Sequence, residues 1–143
     1  MMKVNNAIIR SNENIGKDVY RMVLETSIAS EVACGQFVQV QVPGFYLRRP
    51  ISVSEVLDEN HLVLVYKTVG EGTAALSEMK ENEVVNLFGP LGTGFPVENR
   101  DVVLIGGGVG VPPLVETAKQ YISNGNQVTA VLGFNTKADA ILV

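Results

Sequence analysis

Apolar and polar residues alternate in short runs over the first ~97 residues, with turn-forming residues between the runs. The runs predict strands over Val4–Arg10, Val19–Thr26, Gln36–Val42, Ile51–Val53, His61–Lys67 and Val84–Phe88. Phe37, Val38, Val40 and Val42 lie among Gln36, Gln39 and Gln41, so one face is packed and the other wet. Asn12-Glu13-Asn14, Gly16-Lys17-Asp18, Pro43-Gly44 and Asp58-Glu59-Asn60 read as turns. Between the last two strands, Gly72–Lys80 has helical spacing at Ala75, Leu76 and Met79. The pattern predicts a closed or nearly closed six-stranded antiparallel sheet over residues 1–97.

At Arg100 the pattern changes. Val102-Val103-Leu104-Ile105 is a continuous apolar run, expected of a strand buried on both faces. A glycine cluster follows. Leu114, Val115, Ala118 and Ile122 then repeat at helical spacing, and Gly125 stands where a helix-terminating glycine belongs. Val128–Leu132 predicts a second buried strand, and Thr136–Val143 the start of another helix. Strand, helix, strand and helix start imply a parallel α/β unit over residues 98–143, begun and not finished.

Composition narrows the chemistry. The 143 residues are 46% hydrophobic and 18% charged, with a net charge of −4. Such a chain can bury roughly 70% of its unfolded surface in a core of its own. No basic run interleaves with aromatics, which argues against a nucleic-acid surface. One cysteine, Cys34, and one histidine, His61, exclude an internal disulfide, a cysteine-ligated cluster or a multi-histidine metal site built from this chain alone. Both read as uninvolved, Cys34 as an inert turn thiol and His61 as an exposed strand-start residue. No apolar run approaches the ~20 residues of a membrane span, and residues 1–16 lack a signal-peptide pattern, so a cytoplasmic location is expected.

Four motifs carry candidate chemistry. Arg48-Arg49-Pro50-Ile51-Ser52 offers a permanent guanidinium for a pyrophosphate, although Arg-Arg-Pro also suits a plain surface loop. Val65-Tyr66-Lys67, followed by Val69-Gly70-Glu71-Gly72-Thr73 opening a helix, suits an anion at free backbone N–H groups; a plain helix cap uses the same residues. Gly89-Pro90-Leu91-Gly92-Thr93-Gly94-Phe95-Pro96 is either a rigid corner or a loop lining a crevice. Gly106-Gly107-Gly108-Val109-Gly110-Val111-Pro112-Pro113 lies after a strand and before a helix, the context for a dinucleotide diphosphate or for a ligand-free turn. No carboxylate pair or nucleophile–base arrangement supports hydrolysis, so a reaction here is the work of a cofactor.

In this order the four motifs resemble the electron-transfer subunits of two-subunit (class 1B) dihydroorotate dehydrogenases, within the ferredoxin–NADP reductase superfamily. The resemblance extends to Gly35-Gln36-Phe37 and Leu132-Gly133-Phe134. It implies a Greek-key FAD barrel, with Arg49 at the flavin diphosphate and Pro50, Ile51 and Ser52 along the isoalloxazine. Val65, Tyr66 and Lys67 would lie against the ribityl chain and diphosphate, with Gly72 and Thr73 at the diphosphate. Gly106, Gly107, Gly108 and Gly110 would face the nicotinamide nucleotide. The family's task is to pass electrons from an FMN-bearing catalytic subunit, through a [2Fe–2S] cluster and FAD, to NAD+ in pyrimidine biosynthesis, within a heterotetramer. The cysteines of that cluster are absent from this chain. The flavoprotein subunits of related NAD(P)H-dependent ferredoxin oxidoreductases, sulfide dehydrogenases and hydrogenases share the barrel and glycine loop, and the motifs do not exclude them.

Overall fold

The structure is a computed structural model that describes residues 2–143. Six antiparallel strands close a barrel in the order β1-β2-β5-β4-β3-β6, followed by a two-stranded parallel sheet, β7-β8. The barrel strands are β1 (Lys3–Gly16), β2 (Val19–Glu25), β3 (Phe37–Gln41), β4 (Arg49–Asp58), β5 (His61–Lys67) and β6 (Val84–Leu91). Closure leaves the barrel no open edge. Helix α1 (Glu71–Ser77) links β5 to β6, and α2 (Leu114–Ser123) links β7 (Val102–Gly107) to β8 (Val128–Gly133).

Alternation decides what fills the barrel. Ile9, Met22, Leu24, Val38, Val40, Val53, Leu62, Leu64 and Leu87 point inward and are fully buried, joined by Leu76 from α1. Each such side chain contributes roughly 1.5–3 kcal/mol by leaving water. The barrel and the parallel unit therefore agree with the expected fold class.

Several local expectations need correction. Asn12-Glu13-Asn14 is not a turn but the middle of β1, paired with Met22, Arg21 and Tyr20. β4 runs for ten residues rather than three, taking in Arg49 and Pro50, which face Val40 and Gln39. Helix α1 stops at Ser77, short of Lys80, and the Ser27–Glu31 3-10 turn was not anticipated. The Val102–Ile105 strand is not buried on both faces: α2 covers one, while Val103 and Ile105 stay 61% and 75% exposed on the other. Val128–Leu132 likewise leaves Val131 exposed.

The predicted helix over Thr136–Val143 is replaced by a 3-10 turn at Lys137–Asp139 and an extended end. The reason is tertiary. Ile141 is buried against Val19, Val63 and Val65 on the outer barrel wall, in a niche where Gly16 has no side chain to obstruct it. Gly125 does end α2, with φ +87 and its N–H on the Ile122 carbonyl at 3.0 Å. No helix among the described residues is long and apolar enough to cross a membrane.

Candidate functional site

A cavity of about 250 Å³ opens beside β4, β5 and the start of α1, lined by Pro50, Ile51, Ser52, Val65, Tyr66, Lys67, Val69, Thr73 and Val109. Eight of these come from the two barrel motifs. The antiparallel neighbours β4 and β5 bring Pro50–Ser52 alongside Val65–Lys67, which no sequence spacing reveals. The wall is mainly apolar, with Ser52, Lys67 and Thr73 as its polar groups, as in sites for a flat aromatic ring with a few fixed contacts. Val69 and Val109 lie within the second and fourth motifs, but no contact was assigned to them, since a valine in a loop carries no chemical signal of its own.

Arg49 stands just outside this lining. Its guanidinium lies 5.3 Å from the Phe45 ring centre and donates to the Leu47 carbonyl at 2.6 Å. No carboxylate among the described residues pairs with it. It rests on the bare Cα of Gly72, where a methyl group would collide with the guanidinium. Gly72 is thus a seat for Arg49, fixing a positive charge at the first turn of α1 beside the cavity. The neighbouring Arg48 points elsewhere, donating to the carbonyls of Gln39 and Asn86 at 3.2 and 3.3 Å. Arg48 precedes β4 and Arg49 opens it, so one arginine braces the barrel while the other lies over the first turn of α1.

Gly72→Ala is expected to displace the guanidinium without disturbing the fold, since the obstructed atoms are the end of a flexible side chain. Any anion affinity that depends on Arg49 should fall several-fold, by about half to one hydrogen bond to a charged group. Far-UV circular dichroism and the unfolding midpoint should stay at wild-type values.

Thr73 accepts the Val69 N–H at 2.8 Å and donates to the Gly70 carbonyl at 3.3 Å, so its hydroxyl closes the turn that opens α1. Tyr66 stacks on Tyr20, with centroids 5.9 Å apart, and donates its hydroxyl to Asn12 Oδ1 at 2.8 Å. The same Asn12 donates through Nδ2 to the carbonyls of Leu76 and Met79, each at 3.0 Å. It caps the C-terminal end of α1, which explains both the early end of that helix and the polar stretch of β1.

Burial pushes the Tyr66 phenol far above its ordinary value, against the opposing hydrogen bond with Asn12. The raised value in the fold gives stability that is complete below about pH 10, where a free tyrosine ionises, and is lost as pH rises beyond it. Alkaline titration followed by phenolate absorbance should show no Tyr66 ionisation before the protein unfolds, and Tyr66→Phe should leave the folded-state curve unchanged.

A second cavity, of about 480 Å³, adjoins the first and is lined by Lys67, Gly107, Gly108, Val109, Gly133, Phe134, Asn135 and Asp139. Lys67 and Val109 belong to both. Gly107 and Gly108 face this space, with Gly108 at φ +54. Gly110 lies outside the lining, and Gly106 faces α2: a side chain there would stand 2.6 Å from Leu114 Cδ1 and 3.3 Å from the Val111 Cα. Its role visible here is close helix–strand packing. The Thr136 hydroxyl holds the Asp139 carboxyl below the usual carboxylate range, helped by the charges of Lys17 and Lys67.

The Gly89–Pro96 motif touches neither cavity. It packs on residues 33–36, with the Phe95 N–H on the Cys34 carbonyl at 2.8 Å and Gln36 Nε2 on the Gly92 carbonyl at 2.9 Å. Cys34 is buried beneath this corner. His61 is half-buried with Nδ1 2.8 Å from Asp58 Oδ1, and that contact lowers the Asp58 pKa. A larger groove, about 690 Å³, lies between β1 and the end of α1, ringed by Arg10, Glu13, Glu78, Lys80 and Glu81, charges of both signs.

Comparison with known proteins agrees with this geometry. The chain is 39% identical over 146 aligned positions to the dihydroorotate dehydrogenase B (NAD(+)) electron transfer subunit of Bacillus mycoides, and equally to that of Bacillus cereus. In each case 96% of this chain and 56% of the relative are covered, so the chain spans about half the length of the curated relatives it matches. Among solved structures, an NADH-dependent reduced ferredoxin-NADP oxidoreductase superposes with a TM-score of 0.86 at 34% identity, covering 96% of this chain and 51% of that one. The ferredoxin reductase of carbazole 1,9a-dioxygenase shares the fold, with a TM-score of 0.88 at 24% identity over 98% of this chain and 45% of that one. The model of the oxidoreductase FAD-binding domain matches residues 6–95, the span that forms the barrel and carries Arg49, Ser52, Lys67 and Thr73. The chain belongs to the oxidoreductase FAD-binding domain family.

Proposed function

We propose that this chain is the FAD-binding part of an electron-transfer subunit that relays electrons from the FMN-bearing catalytic subunit of a dihydroorotate dehydrogenase to NAD+. Residues 1–97 form the flavin barrel and residues 98–143 begin the nucleotide domain. The observation that carries this reading is the convergence of Pro50, Ile51, Ser52, Val65, Tyr66, Lys67 and Thr73 on one cavity, with Arg49 seated beside it on Gly72. The names of the relatives supply the pathway.

The residues present fit FAD. Ile51, Val65 and Val109 offer apolar surface to a flat ring, and Arg49 and Lys67 offer positive charge to a diphosphate. Ser52 presents a hydroxyl to the cavity. When bound, FAD exchanges electrons in pairs or singly, which a relay between a two-electron carrier and a one-electron centre requires. Tyr66 keeps its proton and donates it to Asn12, so it serves as a wall rather than an acid. Gly107 and Gly108 leave the second cavity open to a nicotinamide nucleotide, with Lys67 and Val109 shared between the two sites.

A [2Fe–2S] centre needs several thiolate ligands. Cys34 is the chain's one cysteine and is buried. The ligands of such a cluster would lie in the part of the relatives that this chain does not match. The working assembly is a cytoplasmic heterotetramer with the catalytic subunit. The test is co-expression of the full-length protein with that subunit, followed by cofactor analysis and dihydroorotate-dependent reduction of NAD+. Both FAD and this activity are expected; flavin-free protein that takes up no added FAD would sink the reading.

A second reading is a flavoprotein subunit of an NAD(P)H-dependent ferredoxin oxidoreductase, sulfide dehydrogenase or hydrogenase. The 34% identity to the NADH-dependent ferredoxin-NADP oxidoreductase favours it. FAD-loaded protein active with reduced ferredoxin and inactive with dihydroorotate would select it.

A further inference from the structure

Helix α2 is bound to the barrel at one strand, β4, and the bonds are of an unusual kind. Glu116 is only 6% exposed, yet its partner is not chiefly another charge. Its Oε1 accepts the backbone N–H of Val56 at 2.7 Å, and its Oε2 accepts Gln120 Nε2 at 3.0 Å. Beside it, Ser54 is buried and donates its hydroxyl to the Pro112 carbonyl at 2.9 Å. Lys119 closes the contact, donating to Glu55 Oε2 at 2.8 Å and the Val56 carbonyl at 3.1 Å. Strand β4 carries a bulge here, its register passing from Val53 to Glu55 across one extra residue, Ser54. Bulges re-aim side chains, and this one turns Ser54 outward onto α2 while Val53 stays in the core.

Both partners of this contact continue directly into the candidate site. Ser52 lines the first cavity two residues before Ser54, and Val109, three residues before Pro112, lines both cavities. The contact thus ties, through hydrogen bonds, the strand that bears the flavin-facing wall to the segment that follows the glycine turn. A carboxylate this buried is costly unless its lone pairs are taken, so it is an exacting means of holding two backbones at one separation.

We propose that Glu116 is a positioning residue: by accepting the Val56 N–H it holds α2, and with it the Gly107–Val109 turn, at a fixed separation from the flavin-facing strand. This rests on the flavin and nicotinamide reading above. Glu116 touches neither cavity and acts through Val56 and the helix.

The test uses the full-length protein loaded with FAD, with Glu116→Ala and Glu116→Gln compared. Glutamine keeps an oxygen for the Val56 N–H and gives up the charge. In Glu116→Ala, amide exchange at Val56 should accelerate by about tenfold and flavin reduction by NADH should slow by a similar factor, the worth of one hydrogen bond to a charged group. The FAD dissociation constant should move less than about threefold, because Arg49 and the barrel walls are intact. Glu116→Gln should restore both exchange protection and reduction rate. If Glu116→Ala does not fold, Ser54→Ala removes the neighbouring bond and should shift the same two readouts in the same direction, by less. Wild-type rates and protection in Glu116→Ala, or a Glu116→Gln variant as impaired as alanine, would overturn the proposal alone. Wild-type protein that takes up no FAD would overturn the flavin reading and this proposal with it.

Discussion

Arg49→Ala is expected to raise the FAD dissociation constant by about 10- to 100-fold while leaving the apo protein as stable as the wild type. The first half follows from charge. A guanidinium cannot lose its proton, and a charge-assisted bond to a diphosphate is worth roughly 1.5–3 kcal/mol. Arg49 is in position to make one because Gly72 gives it a seat and no carboxylate among the described residues competes for it. The second half follows from where the side chain lies: on the Phe45 ring and the first turn of α1, outside the barrel core. Titration of apo protein with FAD, followed by flavin fluorescence, reads the first quantity, and thermal unfolding without flavin reads the second. Unchanged FAD affinity would remove Arg49 from the site. Arg48→Ala should give the converse result. Its bonds to Gln39 and Asn86 brace β3 and β6, so its loss should lower the unfolding midpoint more than the affinity.

Gly106→Val should destabilise the parallel unit by about 1–3 kcal/mol, the usual cost of forcing extra atoms into a packed contact. The added Cβ meets Leu114, which could move, but also the Gly110 carbonyl at 3.2 Å and the Val111 Cα at 3.3 Å, which belong to the backbone. The helix would have to leave the strand. Amide exchange should rise across Leu104–Gly107 and Val111–Val115 and stay unchanged in β2 and β5, where the barrel core is separate. Equal protection throughout would mean that the glycine is not required for packing. The same substitution at Gly108, which is open on all sides within 4 Å, is strained by its positive φ rather than by contact.

These two positions show how far the sequence could be read. The strand His61–Lys67 was legible to the residue because its unbroken apolar run, buried from Leu62 to Tyr66, decides it. The glycine loop was legible as a loop before a helix. What each glycine does was not, since four glycines in five residues look alike until the helix is placed. Arg48 and Arg49 could be separated only by knowing that β4 begins between them, and Pro50 argued against a strand there. Asn12 was missed as a site-supporting residue for a related reason. Asn12-Glu13-Asn14 is turn chemistry by local preference; pairing with β2 makes it a strand, and the carbonyls at the end of α1, over 60 residues away, take up the Asn12 side chain. The extended end at Ile141 escaped in the same way: its apolar pattern suits a helix, and the Gly16 niche overrides it. The side chains of Val109 and Glu116 were assigned no role, because a valine in a glycine turn and a glutamate on an amphipathic helix have ordinary local explanations.

The bulge at Ser54 separates two jobs along one strand. Val53 and Val56 both face the barrel interior, with two residues between them where regular alternation has one. Removing Ser54 would therefore preserve the inward and outward order of the whole strand. The extra residue also serves the helix docked outside the barrel, because it is Ser54 that bonds the Pro112 carbonyl. Deleting Ser54 should therefore leave the inward order of β4 intact while freeing the segment that enters α2 from the strand.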